Sequence, residues 1–476
     1  MKILLKTYCI LLLVSWSFNV TAQTDSSKIL TLDIYLSIIK KYHPIAKQAD
    51  ILTEQAKANL RIARGGFDPI LYSDYDRKEF YGKNYYSFFS SEIKIPAWYG
   101  IEVKTGYDAA YGININPENG IPDNGLYYVG ISLPVLKNML MDKKRAELFK
   151  ARLFIKSTEQ ERLLILNELL LDAVQSYYYW SEAQQIKAVY DTAKQIAYTR
   201  YRATVRAYEL GDRAGIDTTE ALTQYQQRLF QWNDANLNVQ KARLIVSNFL
   251  WLENTVPYNL PDSILPQTVD SAFINPSLFS PLEDLDVMLA SINSTHPVIN
   301  QYNLKLKQLE LDRKLKKENL KPTLNINYNL LSPGFFNYTK PDTRIFTNYY
   351  KFGFNFSMPL TFAQGRAELQ QTKLKIKDTQ LQLTQKQREL EIKLMTTYAE
   401  LANIKTQIKL YRETLKNYQR LFYGESRRFE IGESTLFLVN TRENSAITAE
   451  QKLIELNIKY LQYESKLKWI LAALLR

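Results

Sequence analysis

Two histidines in a chain of 476 residues are each followed by proline, His43-Pro44 and His296-Pro297, 253 positions apart. The same offset joins Phe67-Asp68-Pro69-Ile70-Leu71 to Leu320-Lys321-Pro322-Thr323-Leu324. Further along it becomes 225, setting Leu133-Pro134-Val135 against Met358-Pro359-Leu360. It then settles at 221, where Arg145-Ala146-Glu147-Leu148 meets Arg366-Ala367-Glu368-Leu369 and Tyr208-Glu209-Leu210-Gly211 meets Phe429-Glu430-Ile431-Gly432. An ordered series with a nearly constant offset reads as one structural unit written twice, and any fold must accommodate both copies. The fall from 253 to 225 places 28 additional residues in the first copy, between Pro69 and Pro134.

The flanks of the copies set the expected domains. Residues 1–22 carry Lys2 and Lys6, a short apolar run over Tyr8–Val14 and a small residue at Ala22, the layout of a secretory signal peptide. The chain's one cysteine, Cys9, lies inside that run behind Lys6-Thr7-Tyr8, which argues against a lipoprotein and leaves the exported chain without disulfides. The first repeat is expected over 23–254 and the second over 283–476. Between them, 255–282 holds five of the 16 prolines and reads as an extended connector wrapping a surface.

Each repeat contains two periods. Leu390, Leu394, Tyr398, Leu401, Ile404, Ile408, Tyr411, Leu415, Tyr418 and Phe422 recur at about 3.5 residues, a coiled-coil spacing. The stretches 136–210 and 365–430 lack proline and, before Gly424, internal glycine; some 75 residues make a helix of about 110 Å. Gly211 and Gly432 suit left-handed helix ends, after which second helices over about 216–252 and 434–474 would return antiparallel.

Between Pro69 and Pro134, and between Pro322 and Pro359, the period is two. Tyr127, Val129 and Ile131, then Leu324, Ile326 and Tyr328, then Phe352, Phe354 and Phe356 alternate with polar or small neighbours, as does the run 99–107. Aromatics number 15 over 67–133 and 10 over 322–358, well above the 13% of the whole chain. An exported protein with such strands fits a barrel facing lipid with aromatic girdles. One chain offers too few strands to close it, so several subunits are required. Residues 80–112 read either as extra barrel strands or as an extracellular hairpin.

Composition limits the chemistry. With two histidines and one cysteine there is no basis for a metal centre or cofactor, and neither a nucleotide-binding loop nor a Ser/His/Asp set is present. Both histidines precede a helix-starting proline and read as caps. The net charge of +12 is interleaved with acids, as in Lys386-Gln387-Arg388-Glu389, which marks solvated helix faces and not nucleic-acid binding. A mean hydropathy of −0.30 and the lack of about 18 consecutive apolar residues exclude membrane-spanning helices. The expectation is a non-enzyme.

The ordered set of motifs resembles the TolC family of outer-membrane factors over essentially the whole exported chain. The resemblance rests on the duplicated helix–strand–strand–helix plan, on Pro44 and Pro297, on the strand exits into Arg-Ala-Glu-Leu, and on the two aromatic-x-x-Gly tips. It implies a mainly α fold with a β membrane portion. Long helical hairpins would form a trimeric α-barrel crossing the periplasm, and the strands would form one shared outer-membrane β-barrel. The implied function is a passive exit duct for drug efflux or type I secretion. Its implied partners are a homotrimer, a periplasmic adaptor, an inner-membrane pump of RND, ABC or MFS type, and outer-membrane lipid.

The resemblance further places acids six and nine positions after the tip glycine. Asp217 and Glu220 stand there in the first repeat and form a candidate gate ring, or else first-turn helix acids; Leu438 and Thr441 stand there in the second. Ser434 occupies a position where some members carry a gate-latching arginine. Tyr208, Leu210, Gly211, Asp212, Phe429, Ile431, Gly432 and Glu433 are the tip and adaptor-contact candidates, with Tyr208 and Phe429 expected to pack between tip helices. A soluble periplasmic coiled-coil scaffold or adaptor is the competing reading.

Overall fold

The computed structural model describes residues 29–117, 120–268, 284–333 and 349–474. The expected signal peptide with Cys9, and the second half of the Pro-rich connector, lie outside the described residues. Eight α-helices and eight strands are found among those residues. The helices are α1 (Leu32–Tyr42), α2 (Pro44–Gly65), α3 (Lys143–Glu209), α4 (Gly215–Ser247), α5 (Leu285–Thr295), α6 (Pro297–Glu318), α7 (Ala363–Glu430) and α8 (Leu436–Ile470). The strands are β1 (Ile29–Leu30), β2 (Ile70–Phe80), β3 (Lys83–Pro96), β4 (Glu102–Tyr111), β5 (Leu126–Pro134), β6 (Leu265–Pro266), β7 (Thr323–Ser332) and β8 (Tyr350–Ser357). The fold is mostly helical. No described helix is long and apolar enough to cross a membrane.

The chain divides into two compact units. One gathers residues 29–39, 173–268 and 408–458, so it holds most of α1, all of α4, the tip half of α3, the tip third of α7, and most of α8. Its core is built around Tyr177, whose hydroxyl donates to Leu30 O at 2.6 Å and accepts from Gln267 N at 3.0 Å. Tyr35 packs 5.7 Å from the same ring, and β1 and β6 pair in parallel. The segment at Ile29–Leu30 and the first half of the connector are thus tied to one buried tyrosine, whose pKa burial pushes up to about 12.

The second unit gathers 40–172, 284–407 and 459–474, and contains one six-stranded antiparallel sheet in the order β2-β3-β4-β5-β7-β8. Residues 80–112 form the end of β2, all of β3 and β4, and the turns joining them, so the first half of the chain supplies four strands of the sheet and the second two. At the exit from β5, buried Arg145 donates to the carbonyls of Asn138 and Met139 at 2.8 and 3.0 Å, pairs with Asp142, and lies 5.3 Å from the centre of the Tyr99 ring. This cation fastens the start of α3 to the strand connections.

The histidine–proline pairs begin α2 and α6 as expected. His43 Nδ1 accepts from Ile45 N and His296 Nδ1 from Val298 N, both at 3.2 Å, while the proline that follows fills a position needing no N–H. Two helix boundaries differ from the sequence expectation. The long helix α3 starts at Lys143 and not near 136, because Val135 and Lys137 still bond in the sheet's manner to Leu324 O and Pro322 O. The helix α4 stops at Ser247, where the chain turns and Tyr258 N returns to Leu250 O.

Candidate functional site

The helical tips in the first unit are built alike. After α3, Gly211 N donates to Tyr208 O and Asp212 N to Ala207 O, both at 2.9 Å. After α7, Gly432 N donates to Phe429 O at 3.1 Å and Glu433 N to Arg428 O at 2.9 Å. These are paired Schellman closures, and they require a left-handed residue: Gly211 has φ 81° and Gly432 φ 80°. Leu210 and Ile431 project into solvent, with Asp212 and Glu433 beside them. An apolar residue flanked by acids on each tip is a surface a partner could read.

The two tips are fastened to each other. Arg213 lies 4.3 Å from the Phe429 ring centre and donates to Phe429 O at 3.4 Å. Phe429 therefore packs against an arginine from the other tip, whereas Tyr208 is half exposed beside Gly215. The arginine missing at Ser434 has a counterpart in Arg213, 221 positions earlier, and Ser434 instead donates to Glu425.

Asp217 and Glu220 stand on α4 as spaced, yet their surroundings differ. Asp217 is in the first turn, half-buried. Glu220 Oε1 accepts from Asn440 Nδ2 at 3.2 Å, and Asn440 Oδ1 accepts from Arg200 at 3.0 Å. Arg200 also pairs with buried Glu443 at 2.7 Å. Nearby Arg228, 1% exposed, donates to Asn444 and to Gln231; burial lowers its pKa, and the Glu443 carboxylate opposes that shift. A polar network thus joins α3, α4 and α8. Sequence reasoning missed Arg200, Arg213, Asn440 and Glu443. Their only trace in the sequence is that the repeat breaks there, Thr219 aligning with Asn440 and Glu220 with Thr441.

A groove of about 440 Å³ opens over this network, lined by Ile216, Thr219, Glu220, Thr223, Gln224, Phe437, Asn440, Thr441 and Asn444. All but Gln224 form four pairs related by the 221 offset, so the groove lies near a local two-fold between the first turns of α4 and α8. Among the described residues no cluster of three metal-ligating side chains occurs.

In the second unit the registers sort the sheet into two faces. Directly opposed residues share a face, so Leu71, Ile93, Thr105, Val129, Leu330 and Tyr350 lie on one side. That side carries Tyr127, Ile131, Leu324, Ile326, Tyr328, Phe352, Phe354 and Phe356, every strand residue expected to face lipid. Phe352, Phe354 and Phe356 are each more than half exposed. The rings of Tyr107 and Tyr127 lie 4.6 Å apart and those of Tyr328 and Tyr350 stack at 5.8 Å. The opposite side carries Asp74, Asp76, Glu92, Lys94, Glu102, Lys104, Asp108, Asn325, Asn327, Asn329 and Lys351. Across it Tyr128 reaches over Gly106 to donate to Glu92 Oε2 at 2.9 Å, and Glu92 pairs with Lys94 at 3.0 Å.

Long helical hairpins with Schellman tips and a six-stranded antiparallel sheet with one mainly apolar face thus occur in one chain. Residues 291–473 match the outer membrane efflux protein family, which bears out the resemblance drawn from the sequence. Three solved channels share the fold. The outer membrane channel CmeC of Campylobacter jejuni superposes with a TM-score of 0.63 at 14% identity, over 93% of this chain and 85% of that one. VceC of Vibrio cholerae gives 0.63 at 11%, over 93% and 96%. MtrE of Neisseria gonorrhoeae, in its open state, gives 0.64 at 14%, over 94% and 89%. Among curated proteins none matches the chain in sequence.

Proposed function

We propose that this protein is the outer-membrane exit duct of a tripartite export system. Three copies form a passive conduit that is docked by a periplasmic adaptor and driven by an inner-membrane pump. The observation that carries the reading is the sheet with one mainly apolar, aromatic-rich face, interrupted by Arg77 and a few hydroxyls near the β2 edge, and one face that carries most of the charge. In water, a row such as Phe352, Phe354 and Phe356 is an aggregation hazard; in a bilayer it is the surface a strand must present. A soluble scaffold has no use for it.

The helices support lateral association. Along α4, Ile216, Phe230, Leu237 and Leu244 follow a seven-residue spacing and are exposed within the chain, an unfilled coiled-coil seam suited to a neighbouring copy. At the tips, Leu210 and Ile431 with their flanking acids form the adaptor contact. Asp217 and Glu220, repeated by three-fold symmetry, form carboxylate rings at the entrance. Such a protein conducts and needs no catalytic group.

The test is direct. Membranes expressing the protein should release it only into detergent, as a heat-labile oligomer that forms ion-conducting channels in planar bilayers. Extraction by salt alone, as a non-conducting species, would establish the scaffold reading instead.

A further inference from the structure

The six-stranded sheet has two open edges, β2 and β8, and both are exposed along their lengths. Unpaired edges are not tolerated in hydrocarbon, so each must meet another strand. The first strand leaves α2 and the last runs into α7, so the edges are antiparallel to one another and can pair between copies without breaking the up-and-down order. The number and register of strands follow from the sheet's own stagger.

Ile70, Lys94, Lys104, Gly130, Asn329 and Lys351 are successive register partners, one on each strand from β2 to β8. Ile70 is the first residue of β2, while Lys351 lies six residues before the last residue of β8, Ser357. The line perpendicular to the strands has therefore climbed six residues in five steps. Closing onto the next copy's β2 must use an even displacement, because an odd one would turn the apolar face inward.

For three copies, a displacement of six per copy gives strands inclined at about 35°, one of eight about 43°, and one of four about 25°. Barrels incline their strands at about 35–45°, which excludes four. Charge separates the other two. Six sets Lys351 opposite Asp76, whereas eight sets it opposite Lys78, and like charges directly opposed destabilise a pair.

We propose that β8 of each copy pairs antiparallel with β2 of the next, with Lys351 opposite Asp76 and Phe352 opposite Tyr75. This closes an eighteen-stranded barrel, about 30 Å across between backbones. The count rests on the three-copy reading above; the register rests on the sheet alone. The extra segment of the first repeat thus widens the barrel by six strands, two per copy, and does not cap it.

Disulfide capture tests this in outer-membrane preparations of the full chain carrying Cys9→Ser. Tyr75→Cys is combined in turn with Tyr350→Cys, Phe352→Cys or Phe354→Cys, and oxidation is followed on non-reducing gels. Diagonal positions across a pair of strands stand beyond disulfide reach, so one register links efficiently and its neighbours do not. The expected result is a ladder ending at three chains for the Phe352 pairing alone. Linkage through position 350 or 354, or a fast-migrating single chain closed on itself, overturns the register. Absence of every link in a particle whose native mass is three chains overturns edge pairing. A ladder ending at another number overturns the strand count and the three-copy reading while leaving the register standing. Imaging the unsubstituted protein in lipid discs counts the strands independently, and any number but eighteen refutes the proposal.

Discussion

Arg213 lies 4.3 Å from the centre of the Phe429 ring, so the two helical tips of one chain are joined by a cation on an aromatic face. At a site open to water such a contact is worth about 0.5–1 kcal/mol. Arg213→Ala should therefore raise amide exchange in residues 429–433 roughly three- to five-fold without unfolding the hairpins. Arg213→Lys should recover part of the protection, since an ammonium keeps the charge but not the planar stack. Exchange mass spectrometry on tip peptides checks both.

The glycines at the tips make a sharper case. Gly211 and Gly432 have left-handed backbones, and a Cβ added to either meets nothing within 4 Å. Any penalty for Gly211→Ala or Gly432→Ala is therefore conformational and should be about 1 kcal/mol each. Asparagine, which tolerates this region better, should cost less. Urea titrations read by helical circular dichroism would rank the three residues at each tip, and equal midpoints would contradict the argument.

The two histidine caps predict a pH response with a definite sign. Burial lowers the pKa of His43; at His296 burial is again the main cause, aided by Lys386 and opposed by a bond with Ile470 O. Each Nδ1 accepts a backbone N–H, so the cap exists only while the imidazole is neutral. A group that folding holds below its usual pKa contributes fully above the unfolded value, about 6.5, and loses that contribution as pH falls toward the folded value. Melting temperature should drop between pH 7.5 and 5. In His43→Asn with His296→Asn, whose caps do not titrate, the drop should shrink while the neutral-pH value changes little.

Much of this fold was legible from the chain. Helices free of breakers for some 70 residues, tips at aromatic-x-x-Gly, and strands alternating at 127–131, 324–328 and 352–356 fell where spacing placed them, except that α3 begins at Lys143 and not near 136. The strand β2 was harder to read, because Asp74, Asp76, Arg77, Lys78 and Glu79 interrupt any apolar alternation. An edge strand is allowed such charges, and only the register against β3 assigns its faces. The tip network was illegible for another reason. Arg200 and Glu443 are 243 positions apart, and Arg228 looks like any helix-surface cation until the fold buries it to 1% exposure.

Glu443 is the acid on which that network depends. It is 3% exposed and pairs with Arg200 while also favouring the charge on buried Arg228. Removing one member of a buried pair leaves the other desolvated, at a cost of about 3–5 kcal/mol. Glu443→Ala should therefore melt well below Glu220→Ala, whose carboxylate is half-buried and held through a single amide at 3.2 Å. Comparable melting temperatures would mean that water solvates Arg200 and Arg228 in the assembled protein.

On the proposed reading of Asp217 and Glu220 as an entrance ring, the same contrast sets an order for the two acids. Glu220 shares its charge with the Asn440 amide and, through it, with Arg200, whereas Asp217 has no such partner among the described residues. In a three-copy channel the free carboxylate should dominate the local field, because a charge already facing a guanidinium network attracts few further cations. Asp217→Asn should lower the cation-to-anion permeability ratio by several-fold and weaken block by multivalent cations. Glu220→Gln should change both less, and the double variant should exceed Asp217→Asn only slightly. Reversal potentials under a salt gradient measure the ratio. If Glu220→Gln had the larger effect, the Asn440 contact would have to open in the conducting state, and the ring at position 220 would be the selective one.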